Sequence, residues 1–266
     1  MRAVLFTAVL AVLAQPVVAV ESVLEIAMRG TVMRVLVEPP VGRPSGAVIL
    51  IAGGSGRLDL EPSGRLRDLN GNQLVRTRKG YAEAGFVAAT VDIAGDLKER
   101  DGGVRNGYRW GAEQAADLGL LTDHLRKQAP RVYLIGTSRG ALSVANAAAR
   151  LTGTQRPDAI VITSGMLMQT DARQPSVQRM VKPLEAITMP VLLLAHENDA
   201  CIYTPASATP QFKALLTAAP RVDIMMLKGG QADKKGEECE AAGHHGFAGL
   251  DKEVVQTVTD WLKALN

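Results

Sequence analysis

Ser138 stands inside Gly136-Thr137-Ser138-Arg139-Gly140, directly after the apolar run Val132-Tyr133-Leu134-Ile135 and directly before an alanine-rich stretch over 141–150. This order reads as strand, sharp turn, helix. A serine hydroxyl becomes a useful nucleophile only when it is held clear of its own backbone, within reach of a base and beside donors for an oxyanion. A turn of the G-x-S-x-G kind meets the first condition, and its glycines let strand and helix approach closely. A serine at this place can also serve simply as a helix N-cap, but a cap does not need glycine on both sides.

The partners such a serine needs are few in this chain. Of four histidines, His124 falls in a predicted amphipathic helix and His196 sits beside Glu197 and Asp199, so the adjacent pair His244-His245 is the source of a base. Glu197 and Asp199 follow an apolar strand and either can accept the imidazole N–H, fixing its tautomer and stabilising the imidazolium formed during attack. The histidine pair lacks the Cys/His/Asp companions at zinc spacing, so no metal is expected. The glycine-rich Ala52-Gly53-Gly54-Ser55-Gly56 has neither the Lys-Ser/Thr of a phosphate-binding P-loop nor a dinucleotide fingerprint.

Elements able to position these groups recur along the chain. Segments 22–28 and 31–37, separated by Arg29-Gly30, read as an antiparallel hairpin. Strand candidates at 47–52, 85–91, 131–136, 159–163, 190–195 and 222–227 then alternate with helix candidates at 73–83, 111–127, 138–151, 210–218 and 250–265. Alternation of this kind makes a mostly parallel sheet covered on both faces. The expectation is an α/β domain over 20–266 with eight strands.

At this point the sequence resembles the α/β-hydrolase superfamily over nearly all of 20–266. Three patterns carry the resemblance: Gly136-Thr137-Ser138-Arg139-Gly140 after the fifth strand, Ala195-His196-Glu197-Asn198-Asp199 after the seventh, and Gly243-His244-His245-Gly246-Phe247 before the last helix. Their order, serine then acid then histidine, is that of the superfamily. The His-Gly-Phe ending is similar to that of dienelactone-hydrolase-like enzymes, which usually carry cysteine where this chain has Ser138. The departure argues against carrying over their substrate. The resemblance implies Ser138 as nucleophile, Asp199 rather than Glu197 as acid and His245 rather than His244 as base. It also implies an oxyanion hole from the N–H of Arg139 and that of Gly54 or Ser55. The implied activity is a serine hydrolase cleaving carboxylic esters, or amides, through an acyl-enzyme and without a cofactor. A non-catalytic binding protein on the same fold, and an acyltransferase using the same serine, are the alternatives.

Composition sets the outer limits. With 47% hydrophobic and 21% charged residues among 266, the chain can bury one large core. Its net charge of +3, carried with only four Tyr, four Phe and two Trp, predicts no nucleic-acid partner; the partner that the resemblance implies is a small-molecule ester. Arg2, the apolar segment 3–14 and Val17-Val18-Ala19 read as a signal peptide over 1–19. Cleavage after Ala19 would leave an exported protein, periplasmic or secreted, with no stable membrane association. In that setting Cys201 and Cys239 are a disulfide candidate, joining the acid loop to the histidine loop. Seven arginines, at 57, 65, 67, 76, 78, 105 and 109, fall near the segments after the third and fourth strands; arginine-rich loops are usually solvated surface, and the alternative is that some meet a substrate carboxylate. The segment 165–185, with Met166, Met168 and Met180, is a candidate cap over the site, the equal alternative being that its methionines are ordinary core.

Overall fold

A computed structural model describes residues 20–97 and 107–265; the expected signal peptide and Arg105 lie outside the described residues. The elements run β1 (Ser22–Met28), β2 (Thr31–Glu38), β3 (Gly46–Ile51), α1 (Gln73–Glu83), β4 (Phe86–Val91), α2 (Ala112–Arg126) and β5 (Val132–Thr137). They continue with α3 (Gly140–Arg150), β6 (Ala159–Thr163), α4 (Val177–Met180), β7 (Val191–His196), α5 (Ala208–Lys213), β8 (Val222–Leu227) and α6 (Asp251–Lys263). The strands form a single eight-stranded sheet in the order β1-β2-β4-β3-β5-β6-β7-β8. Strands β1 and β2 pair antiparallel, as do β2 and β4, and every later pairing is parallel.

The apolar runs that predict central strands are apolar throughout because both sheet faces are covered. Every residue of β3, β5, β6 and β7 is buried. Successive side chains point to opposite faces. Ile49, Ile51 and Leu134 therefore pack with Leu118 and Leu121 of α2 and Val144 and Ala148 of α3. Val48, Leu50, Tyr133 and Ile135 pack on the other face with Leu74 and Tyr81 of α1 and Val254, Val258 and Trp261 of α6.

Parallel pairing fixes where the loops emerge. The carboxyl ends of β3, β5, β7 and β8 share one edge of the sheet, so the glycine loop, Ser138, Asp199 and the His244-His245 segment all start from it. Among the described residues no helix is long and apolar enough to cross a membrane.

Two expectations need correction. Helix α5 covers Ala208–Lys213 rather than 210–218, because the chain tightens into i→i+3 turns from Phe212 to Leu216 ahead of Pro220. The 165–185 segment is not a methionine-lined cap: Met168 and Met180 pack against the core, and only Met166 reaches the cavity described below.

Where β2 meets α1, Glu38 is buried beside Glu21, and Arg78 bridges them at 3.0 and 3.3 Å. Burial, reinforced by hydrogen bonding to and repulsion from Glu21, raises the Glu38 pKa to about 7, against the pull of Arg78 and Lys79. The folded state then holds a proton that the unfolded chain, with a carboxyl near 4.5, releases. Stability from this group is present at low pH and declines as pH rises from about 4.5 to about 7. The thermal midpoint of Glu38→Gln should lack that decline. A Glu38→Gln curve parallel to the parent's across this window would contradict the assignment.

Candidate active site

Ser138 occupies the turn between β5 and α3 with φ at 53°, a left-handed conformation uncommon for a residue with a side chain. Its main chain is held on both sides: its N–H donates to Thr163 O of β6 at 2.9 Å, and its carbonyl accepts from Ala141 N and Met166 N. Helix α3 starts only at Gly140, with Arg139 at its cap position, so Ser138 does not cap it. A Cβ on Gly140 would stand 2.4 Å from Ile51 O, and one on Gly136 would stand 2.5 Å from Gly140 O. Both glycines are therefore required by the close approach of strand and helix. Gly53 plays the same part in the facing loop, where a Cβ would lie 2.9 Å from Ser138 Cβ.

The acid and the imidazole meet at the neighbouring end of the edge. His245 Nδ1 lies 3.1 Å from Asp199 Oδ2, and both side chains are buried. Asp199 is fixed by Cys201 N–H donating to its Oδ1 at 3.0 Å. Glu197, the alternative acid, is exposed. His244, the alternative base, stacks on His196 at 4.4 Å between ring centroids and has its N–H held by Asp233 Oδ1 at 2.7 Å. His196 accepts from Asn198 N–H at Nδ1 and donates from Nε2 to Gly229 O, so it braces the turn beside Asp199.

One participant escaped the sequence reading. Thr204 Oγ1 lies 2.9 Å from Asp199 Oδ2 and 3.0 Å from His245 Nδ1, so it can donate to the carboxylate while accepting from the imidazole. A threonine five residues after an aspartate carries no pattern that marks it. The tight turn in which Thr204 N–H donates to Cys201 O brings it there.

Ser138 and His245 line one cavity of about 420 Å³ together with Gly53, Gly54, Asn72, Gln73, Arg139, Met166, Tyr203 and Glu240. That volume fits a small organic molecule, and the lining mixes polar groups with an apolar wall. Gly54 reaches the cavity.

Of the seven arginines singled out, the six among the described residues do not supply an anion site there. Arg109 is buried against main-chain carbonyls. Arg76 pairs with Asp251 and donates to the carbonyls of Gly71, Ala241 and Gly246, which fastens α1 to the histidine loop. Arg78 serves Glu38 and Glu21, Arg67 pairs with Glu61, and Arg57 and Arg65 are exposed away from the cavity. The expected disulfide is formed: Cys201 and Cys239 are bonded with Cα atoms 4.6 Å apart, and both line the cavity.

The sequence matches no protein-family model and no curated protein. Its structure is similar to Est1E from Butyrivibrio proteoclasticus at TM-score 0.60 and 14% identity, covering 92% of this chain and 100% of that one. It is similar to XC6422 from Xanthomonas campestris, an α/β serine hydrolase without a lid, at TM-score 0.58 and 16% identity, covering 91% and 94%. Thermogutta terrifontis esterase 2, in a structure phosphorylated by paraoxon, matches at TM-score 0.61 and 15% identity, covering 92% and 94%. The chain has the α/β-hydrolase fold.

The bond between Cys201 and Cys239 closes a separation of 38 residues, worth on the order of 4 kcal/mol through restriction of the unfolded chain. It also ties the Asp199 turn to the chain leading into His245. Reduction should therefore speed amide hydrogen exchange at 239–246 while the far-ultraviolet circular dichroism remains that of the folded domain. Unchanged exchange in fully reduced, folded protein would show that the bond does not hold this loop.

Proposed function

We propose that the protein is an exported serine hydrolase of small carboxylic esters. The observation that carries this reading is the engagement of His245 Nδ1 by Asp199 and Thr204 at 3.0–3.1 Å, on a residue that shares a cavity with a serine in a left-handed turn. With Nδ1 committed, Nε2 is the nitrogen that can take a proton. Export is supported by the disulfide, a bond typical of oxidising compartments.

In this reading His245 Nε2 accepts the Ser138 proton as Oγ attacks the ester carbonyl carbon. The N–H groups of Arg139 and Gly54 stabilise the oxyanion; Gly54 is preferred to Ser55 because it lines the cavity. As the tetrahedral intermediate collapses, the C–O bond to the alcohol breaks and the imidazolium returns its proton to that oxygen. Water then attacks the acyl-enzyme, giving its proton to the same Nε2, and the acid leaves as Ser138 is reprotonated. Asp199 and Thr204 keep the imidazole in one tautomer and balance its charge. No step requires a group from outside this chain and water.

A fluorophosphonate probe tests the reading, since it forms a stable adduct only with an activated serine. The parent protein should label at Ser138, and Ser138→Ala should lose both labelling and p-nitrophenyl ester turnover by roughly four to six orders of magnitude. A folded parent protein that neither labels nor turns over short-chain esters would favour a non-catalytic binding role.

A further inference from the structure

Arg109 is among the largest fully buried side chains of the protein, yet it makes no contact with the cavity around Ser138. It sits in the single 3-10 turn Tyr108–Trp110, which Asn146 of α3 fastens by donating to Gly111 O at 2.8 Å. Its Nη2 donates to Ala52 O at 2.9 Å and lies 3.4 Å from both Gly53 O and Gly54 O. Its Nη1 donates to Ser143 Oγ of α3 at 3.0 Å. One guanidinium thus gathers three successive carbonyls of the glycine loop and ties them to the helix that begins at the serine turn.

The geometry has a direct consequence. In a trans peptide the N–H points opposite to the C=O. Carbonyls of Ala52, Gly53 and Gly54 collected on the Arg109 side turn the N–H groups of Gly53, Gly54 and Ser55 the other way. Gly53 and Gly54 line the cavity, and Arg109 lies behind them. Gly53 O also accepts from Gly56 N–H at 2.9 Å, so the loop's own turn and Arg109 together hold a glycine peptide that would otherwise reorient easily. A charged donor on the carbonyl side also polarises each peptide and strengthens its N–H as a donor.

We propose that Arg109 is a positioning residue for the oxyanion hole, holding the Gly54 peptide so that its N–H faces the reacting carbonyl. This rests on the serine-hydrolase reading above. The four oxygens it meets are neutral. Burial, and after it the nearby charge of Arg139, lower its pKa to about 9, which leaves the guanidinium charged at neutral pH. Among the described residues neither Arg109 Nε nor Gln114 Oε1 has a protein partner, and both residues line a small cavity of about 20 Å³.

The test compares Arg109→Met and Arg109→Lys with the parent in the full-length, disulfide-bonded protein. Arg109→Met should lower kcat on the order of 10²-fold with KM changed by less than about twofold, as expected when an interaction made only in the transition state is lost. Arg109→Lys keeps the charge but cannot span the carbonyls, so its kcat should fall by about tenfold and lie between the two. Affinity for a boronic acid, which forms a tetrahedral adduct on the serine, should fall by the same factor as kcat/KM, while affinity for the carboxylate product stays constant. Folding is checked by circular dichroism and thermal midpoint. Folded variants with parental kcat and boronate affinity would overturn the proposal, as would a rise in KM alone. If neither variant folds, the residue is structural and the proposal fails. A parent protein that does not react with fluorophosphonate would refute the hydrolase reading itself, an outcome distinct from any of these.

Discussion

Everything at the carboxyl edge of the sheet depends on how closely β3, β5 and α3 approach one another around Ser138. The first turn of α3 comes so near the end of β3 that a Cβ at Gly140 would lie 2.4 Å from Ile51 O. That approach leaves the chain only a sharp reversal between strand and helix, which Ser138 makes at φ 53°. The conformation is unfavourable for serine in isolation and persists because surrounding hydrogen bonds to Thr163, Ala141 and Met166 over-determine it. The same proximity brings the glycine loop after β3 against the serine, so one packing constraint sets both the serine turn and the loop that faces it.

The second half of the site is assembled by different means. Asp199 lies in the turn after β7 and His245 in a single 3-10 turn, His244–Gly246, and connections this short do not hold a geometry unaided. Here the disulfide links them covalently, Thr204 bonds to both, and Arg76 fastens the carbonyls on either side of His245 to α1. His196 and His244, stacked together, fill the space beside the Asp199 turn. A rigid sheet edge and a braced pair of loops are what a serine and an imidazole need if they are to meet reproducibly.

Much of this was legible in the residue order. Central strands announce themselves because burial on both faces demands uninterrupted apolar runs, as at 132–135 and 191–195. Ser138 is marked by its two glycines, and Asp199 and His245 by their place after the strands. The cysteines could be paired because only two exist. What could not be read were contacts whose partner is main chain delivered by tertiary folding. Arg76 and Arg109 looked like surface arginines near a pocket, yet each spends its guanidinium on carbonyls more than fifty residues away, and Arg76 also on Asp251 at the start of α6. Thr204 likewise has meaning only once the Asp199 turn closes on His245. Helix α5 ended early because helical propensity says little about where i→i+3 turns replace i→i+4 bonds.

The account's central claim is that Ser138 reacts while its oxyanion is held by main-chain N–H groups and its proton is held by His245. A crystal structure of the protein after reaction with an organophosphonate ester tests it most directly. The account predicts phosphorus bonded to Ser138 Oγ, the phosphoryl oxygen about 3 Å from the N–H groups of Gly54 and Arg139, and His245 Nε2 within hydrogen-bond distance of an adduct oxygen. Phosphorus on another residue, or a phosphoryl oxygen turned away from the glycine loop with His245 out of reach, would contradict it.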